Sequence, residues 1–294
     1  TRRLYIPYRM DKARQKAEDP IAAKLEAMFA KWLAGQREAV LALIRRKLRK
    51  DEDPAGDAAP QRKFSRDEIL KAIGDPITKA MQGQLKAAVT RGGELQADVA
   101  GIKWREADPE VSDYLNLRRT NLEDVLSAST ADAVKGAIDA GYANSETEED
   151  ILRRIEGVDD EGGPFSRGRA RRIARTETHA AVMSGAHYSM KQAGVTTKTW
   201  LANPGPKTRE THLAASGQTV GVDEAFDVGG AKLMFPGDPD GGAEFPEETI
   251  NCRCSTLAGF SDTETSDADL VAALDMAGDE DAQGQVEDAI GEYV

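Results

Sequence analysis

Residues 166–201 read SRGRARRIARTETHAAVMSGAHYSMKQAGVTTKTWL, and a change of pattern inside this stretch decides the fold class. Its first part predicts a helix from about 166 to 192, with Arg167, Arg169, Arg171, Arg172 and Arg175 crowded early and small residues later. Gly194 is the natural terminator, because glycine takes the left-handed conformation that ends helices. From Val195 to Leu201 the residues become Thr, Val and Trp, which suit a pleated strand. The stretch therefore joins a helical first half to a mixed second half.

Working upstream, everything points to helix. Three Asp-Pro pairs, Asp19-Pro20, Asp75-Pro76 and Asp108-Pro109, each precede a helical pattern, with Asp as cap and Pro at the first helical position. From Pro20 to Lys50 the apolar residues Ile21, Leu25, Met28, Trp32 and Ala39 step by threes and fours, which predicts one long basic amphipathic helix. Residues 51–63 have linker composition, and Ser65 with Glu68 has capping-box spacing. A helix after Pro76 is expected to stop at Gly92-Gly93. Helices at 109–118 and 121–142 follow, and Ser145 with Glu148 gives a second capping box.

Downstream, Pro and Gly become frequent through 203–246, as in a compact α+β unit. The reading is a strand at 195–201, a short helix at 207–215, a strand or turn at 218–222, a long loop at 229–246 and a last strand near 250–257. The fold class is thus a mainly α N-terminal region, then a compact α+β domain with a small sheet, then a mobile acidic tail. The divisions fall at 1–63, 64–144, 145–258 and 259–294.

With 294 residues the chain has room for about two domains. No apolar run approaches the roughly 18–20 residues of a membrane span. The formal net charge of −12 hides opposite ends: residues 1–50 hold 14 Lys/Arg against 5 Asp/Glu, whereas 261–294 hold 11 Asp/Glu and no Lys or Arg. The basic cluster Arg45, Arg46, Lys47, Arg49 and Lys50 could meet nucleic acid or an acidic protein face; equally, it could be a solvated helix end offsetting the dipole. The overall acidity argues against coating DNA with the whole chain. Two cysteines exclude a disulfide scaffold and fit synthesis in a reducing, intracellular compartment.

Chemistry could reside in few places. His179 and His187 lie eight residues apart, about 12 Å along a helix, too far for one metal. Arg209 and His212 are spaced to share a helix face, where they could hold an anion or act in acid-base chemistry. Cys252-Arg253-Cys254 would put both thiols on one face of a strand. Two readings compete: simple buried thiols without cofactor, which is the expectation adopted, or a zinc site of His212, Cys252 and Cys254 with His179 or Asp238 as fourth ligand.

The order Ala174-Arg175-Thr176-Glu177, Trp200, Arg209-Glu210-Thr211-His212, Ser216-Gly217, Phe226, Pro236-Gly237-Asp238-Pro239 and Ile250-Asn251-Cys252-Arg253-Cys254 resembles the phage Mu F-like minor head protein family, also called the phage head morphogenesis domain. The resemblance implies a minor capsid protein in the virion of a tailed phage. It further implies several copies at the portal vertex, acting in head assembly and in DNA packaging or delivery. Its implied partners are the portal protein, with the major capsid protein or a scaffold as further candidates and a weak DNA contact. The family positions fall on Arg175, Thr176, Glu177, Trp200, Arg209, His212, Gly217, Pro236, Asn251, Cys252, Arg253 and Cys254; all but Gly217 and Pro236 are read here as a structural network in which Arg175 and Glu177 reach the 209–212 helix and the 251–254 strand. No catalytic group is required. The alternative is a nuclease- or ADP-ribosyltransferase-like enzyme using Glu177, Arg209, His212 and Arg253.

Overall fold

The computed structural model describes residues 2–49, 64–74, 79–144, 146–156, 163–203 and 205–259. Six helices come first: α1 (Arg2–Arg49), α2 (Arg66–Ile73), α3 (Lys79–Ala100), α4 (Pro109–Ala143), α5 (Glu148–Glu156) and α6 (Arg167–Gln192). Then follow β1 (Thr197–Leu201), α7 (Glu210–Ala215), β2 (Thr219–Gly221), β3 (Phe226–Val228), β4 (Ala231–Leu233), α8 (Pro246–Thr249) and β5 (Ser255–Gly259). The mainly helical first half and small antiparallel sheet match the expected class. The acidic segment 260–294 and the linker 51–63 lie outside the described residues. Among the described residues no helix is long and apolar enough to cross a membrane.

Local signals place several ends correctly. Ser65 accepts from the Glu68 N–H while the Glu68 carboxylate reaches back to the Ser65 N–H, a complete capping box. Asp108 caps α4 by accepting from the Glu110 N–H, with Pro109 just inside. Other expectations need correction. Asp19-Pro20 starts no helix, since α1 runs through it from Arg2. Asp75-Pro76 and Ser145 lie outside the described residues. The cap of α5 is built two residues later than expected: Thr147 Oγ1 accepts from the Asp150 N–H at 3.2 Å, and Asp150 accepts from the Thr147 hydroxyl at 2.5 Å. The stretches 109–118 and 121–142 form one helix, because nothing between them breaks the backbone ladder.

Gly92 and Gly93 do not end α3; they lie inside it, where α6 crosses. A Cβ on Gly92 would stand 1.9 Å from the carbonyl oxygen of Val182, and one on Gly185 would stand 1.9 Å from that of Val89. The two backbones touch, so only glycine fits at either place. This explains why the later half of α6 is rich in small residues: Thr178 through Gly185 are all buried, with α1 and α3 packed against the helix. Gly185→Ala should therefore cost about 3 kcal/mol or more, the upper end for overpacking, because backbone rather than a movable side chain must yield. Gly136→Ala in α4, with nothing within 4 Å of its Cβ, should instead stabilise by about 0.5–1 kcal/mol. Urea unfolding of both variants, followed by helical circular dichroism, checks the contrast.

The main core runs from Leu25, Phe29 and Leu33 of α1 through Leu85 and Val89 of α3, Leu122 and Val134 of α4 and Val182 of α6 to Phe235. It therefore crosses residue 145 and takes in both halves of the chain. A satellite core of Trp200, Ala215, Phe226, Val228, Ala231, Leu233, Cys252 and Cys254 fills the α+β unit. Its sheet has the order β2-β1-β5, antiparallel throughout, with Trp200 opposite Thr256 and Lys198 opposite Val220 and Ala258. The expected 229–246 loop contains a strand. β3 and β4 form a hairpin closed by Gly229-Gly230, both at positive φ, the backbone that a tight two-residue turn requires.

Candidate functional site

α7 and the segment before β5 are brought together over the satellite core. Arg209 is the N-cap residue of α7, so it does not share a helix face with His212 as its spacing suggested. Its guanidinium donates to the Ile250 carbonyl at 2.5 Å, while His212 turns inward and is 2 % exposed. The 252–254 segment is not on a strand, since β5 begins at Ser255. Its geometry is set by Asn251, which adopts a left-handed conformation (φ 57°), one that asparagine tolerates better than most residues. The Asn251 N–H donates to Thr176 Oγ1 at 3.1 Å, which fastens this turn to α6.

Beyond that turn both thiols still point inward. His212 Nδ1 lies 3.2 Å from Cys254 Sγ and 3.8 Å from Cys252 Sγ. His212 Nε2 lies 3.0 Å from Glu248 Oε2, and the Thr211 hydroxyl donates to the same oxygen at 2.8 Å. Trp200 stands edge-on to the His212 ring at 5.6 Å and to Phe226 at 5.3 Å, sealing the cluster from the sheet side. The Cys254 thiol is pulled down to about 4, chiefly by the hydrogen bond from Cys252 and with help from His212 against the cost of burial. Cys252 is pushed up correspondingly.

A second buried group ties the same segment to α1. Arg14 Nη1 lies 3.1 Å from Glu18 Oε1 and 2.8 Å from His179 Nδ1, and Glu18 Oε1 lies 3.1 Å from that nitrogen. Arg14 Nη2 donates to the Arg253 carbonyl at 3.1 Å, and Arg253 Nη1 reaches the Arg175 carbonyl at 3.4 Å. Burial opposes the Glu18 charge, yet His179 and Arg14 outweigh it and bring its carboxyl down to about 2. Burial holds the His179 imidazole below its ordinary value.

Glu177 does not reach the 209–212 helix or the 251–254 segment. It takes a two-pronged ion pair from Arg118 of α4, at 2.8 and 2.5 Å. Arg175 offers this network only its carbonyl. The proposed fourth metal ligands are also elsewhere: His179 is held in the Arg14–Glu18 group, and Asp238 accepts from the N–H groups of Met234 and Asp240 to shape its own loop. In the basic cluster, Arg45 and Arg46 are exposed, while Lys47 pairs with Glu68 at 2.6 Å and lies over the Phe64 ring. Lys50 and the Arg49 side chain lie outside the described residues.

Arg14, Glu18, Arg118, Lys198 and Glu248 escaped the sequence reading. Lys198 alone carried a usable signal, since it alternates with Trp200 and so must face the same interior side. It is buried, donates to the Met234 carbonyl at 2.7 Å, stands over the Phe226 ring, and burial pulls it down to about 8.

Residues 128–257 match the family model of phage Mu protein F like proteins. Among curated proteins, 171 residues are 29 % identical to the uncharacterized protein YqbB of Bacillus subtilis (strain 168), covering 53 % of this chain and 54 % of that protein. A further 92-residue match, 35 % identical, is to the NAD(+)--arginine ADP-ribosyltransferase EFV of Enterococcus faecalis (strain ATCC 700802 / V583), covering 30 % of this chain and 18 % of that protein. The chain thus spans about half of the first relative and under a fifth of the second. No solved structure matches it. The matched region begins in α4 and ends in β5, taking in α6, the sheet and both cysteines. Residues 128–257 of this chain are thus similar to the phage Mu protein F like family.

Proposed function

We propose that the chain is a head morphogenesis protein, a minor capsid component of a tailed phage that works at the portal vertex during head assembly and DNA packaging or delivery. The observation that carries this reading is the family match over 128–257. In this role α6 and the 251–254 turn form the frame that joins α1 and α4 to the small sheet. The long α1, with exposed Arg45 and Arg46 near its end, offers a surface for an acidic partner or for weak phosphate contact. The portal protein is the proposed partner, with the major capsid protein or a scaffold beside it. The enzyme alternative has less support. No hydrogen bond or ion pair joins any two of Glu177, Arg209, His212 and Arg253, each being engaged with a different group.

Quantitative mass spectrometry of purified DNA-filled particles from the phage encoding this chain tests the proposal. The expected result is a small number of copies per particle, far below the major capsid protein. Presence in the lysate together with absence from particles would overturn it.

A further inference from the structure

We propose that His212, Cys252 and Cys254 bind a zinc ion and that Glu248 positions the histidine for it. The three ligand atoms lie within 4.8 Å of one another, and the three residues are buried. Tetrahedral zinc, with Zn–S near 2.3 Å and Zn–N near 2.0–2.1 Å, requires N···S separations of about 3.6 Å. The observed 3.2 and 3.8 Å bracket that value, so the ligands need move only by tenths of an ångström. Two thiolates with one imidazole form a soft donor set that suits zinc and not magnesium or calcium.

The Glu248 contact is an independent observation. A metal-binding histidine needs a bare nitrogen toward the ion, and this is usually secured by a carboxylate that takes the proton of the other ring nitrogen. Here Nδ1 faces both sulfurs while Nε2 lies 3.0 Å from Glu248 Oε2, which the Thr211 hydroxyl holds in place. That separation is a hydrogen-bond distance, but the donor direction is misaligned, and the buried Nε2 has no other partner. Nothing in a pair of merely buried thiols calls for a buried carboxylate on the far side of the ring.

The site also meets a structural need. The satellite core has few large side chains, and its strands are three to five residues long. An ion bridging His212 to the 252–254 turn would join two segments 40 residues apart in sequence at the centre of that unit. Among the described residues no fourth His, Cys, Asp or Glu joins the group, which leaves one coordination position to water.

The test uses the full chain, untagged, expressed with added zinc and purified without chelator. Elemental analysis after gel filtration should find about one zinc per chain. Cobalt(II) in its place should give the visible and near-ultraviolet bands of a tetrahedral two-thiolate site. Because His212→Ala or removal of both thiols could unfold the unit, Glu248→Gln is the discriminating variant. It keeps size and a partner for Thr211 but presents a weaker acceptor, and should lower zinc affinity about 10–100-fold while leaving helical circular dichroism unchanged. Folded protein that carries no zinc and gives no thiolate–cobalt bands would overturn the site, as would copper in place of zinc. Unchanged zinc affinity in Glu248→Gln would overturn the positioning role.

Discussion

Arg118→Met is expected to lower the unfolding free energy by about 3–5 kcal/mol, because it leaves the Glu177 carboxylate buried without a counter-charge. Both partners are largely withdrawn from water, and their two contacts have the paired geometry that makes arginine–carboxylate bonds strong. α4 otherwise packs chiefly on α2 and α5, and this pair is the buried one among its polar ties to α6, which also include Arg169 on Ser129 and Thr130 and Lys191 with Glu110. The cost arises mostly from stranding a charge, and removing both charges should therefore hurt much less. Arg118→Met combined with Glu177→Leu should recover most of the loss, since well-packed apolar residues often replace a buried ion pair at little cost. Urea unfolding of the two single variants and the double variant yields the coupling energy directly. A loss below about 1 kcal/mol for Arg118→Met would mean that the pair behaves as a solvated surface contact.

Such a pair also shows where sequence reading ends. Signals that act within one turn of chain were legible: the Ser65–Glu68 box, the Asp108-Pro109 start and the Gly194 stop depend only on neighbouring backbone groups. Pro20 and Gly92-Gly93 misled because their local cost is overridden by packing. An internal proline costs a helix about 3 kcal/mol, yet α1 is anchored on both sides of Pro20, by Arg14 and Glu18 against His179 and by Leu25 in the core. Gly92 is a helix breaker in isolation and a necessity against the Val182 carbonyl. The β3–β4 hairpin was missed because three-residue strands carry too few side chains to show alternation. The chemistry of the candidate site was legible by residue type, from one histidine and two cysteines. Glu248 was not, because a glutamate in a loop reads as solvated until the fold lays it against His212. Likewise, Arg14 and Glu18 have the spacing of an ordinary exposed helix pair, and only His179, distant in sequence, marks them as buried.

Acid should destabilise the protein well before its carboxylates titrate, and His187 should be a principal cause. Its ring is 4 % exposed and lies between Tyr188 at 5.5 Å and Phe235 at 5.7 Å. Burial pushes its pKa down to about 3, with Lys198 of β1 and Lys191 of α6 adding to the effect and Asp223, between β2 and β3, opposing it. An unfolded chain takes up this proton near pH 6.5, whereas the folded one resists until about pH 3. Between those values the unfolded state binds more protons, so stability falls as pH falls. The loss from this residue amounts to about 2 kcal/mol by pH 5, about 3 by pH 4 and about 5 over the whole window. His179, held down by burial, acts in the same direction, and Glu18 adds its share only below about pH 4.5. His187→Phe separates these contributions, since phenylalanine suits the aromatic pocket and cannot titrate. Any packing cost it brings is the same at every pH, so the informative quantity is the slope. Unfolding free energies from denaturant titrations at pH 7.5, 6, 5 and 4 should converge in favour of the variant as pH drops. Parallel curves for the two proteins would show that His187 is protonated in the fold at no cost, and that the aromatic pocket admits a charge.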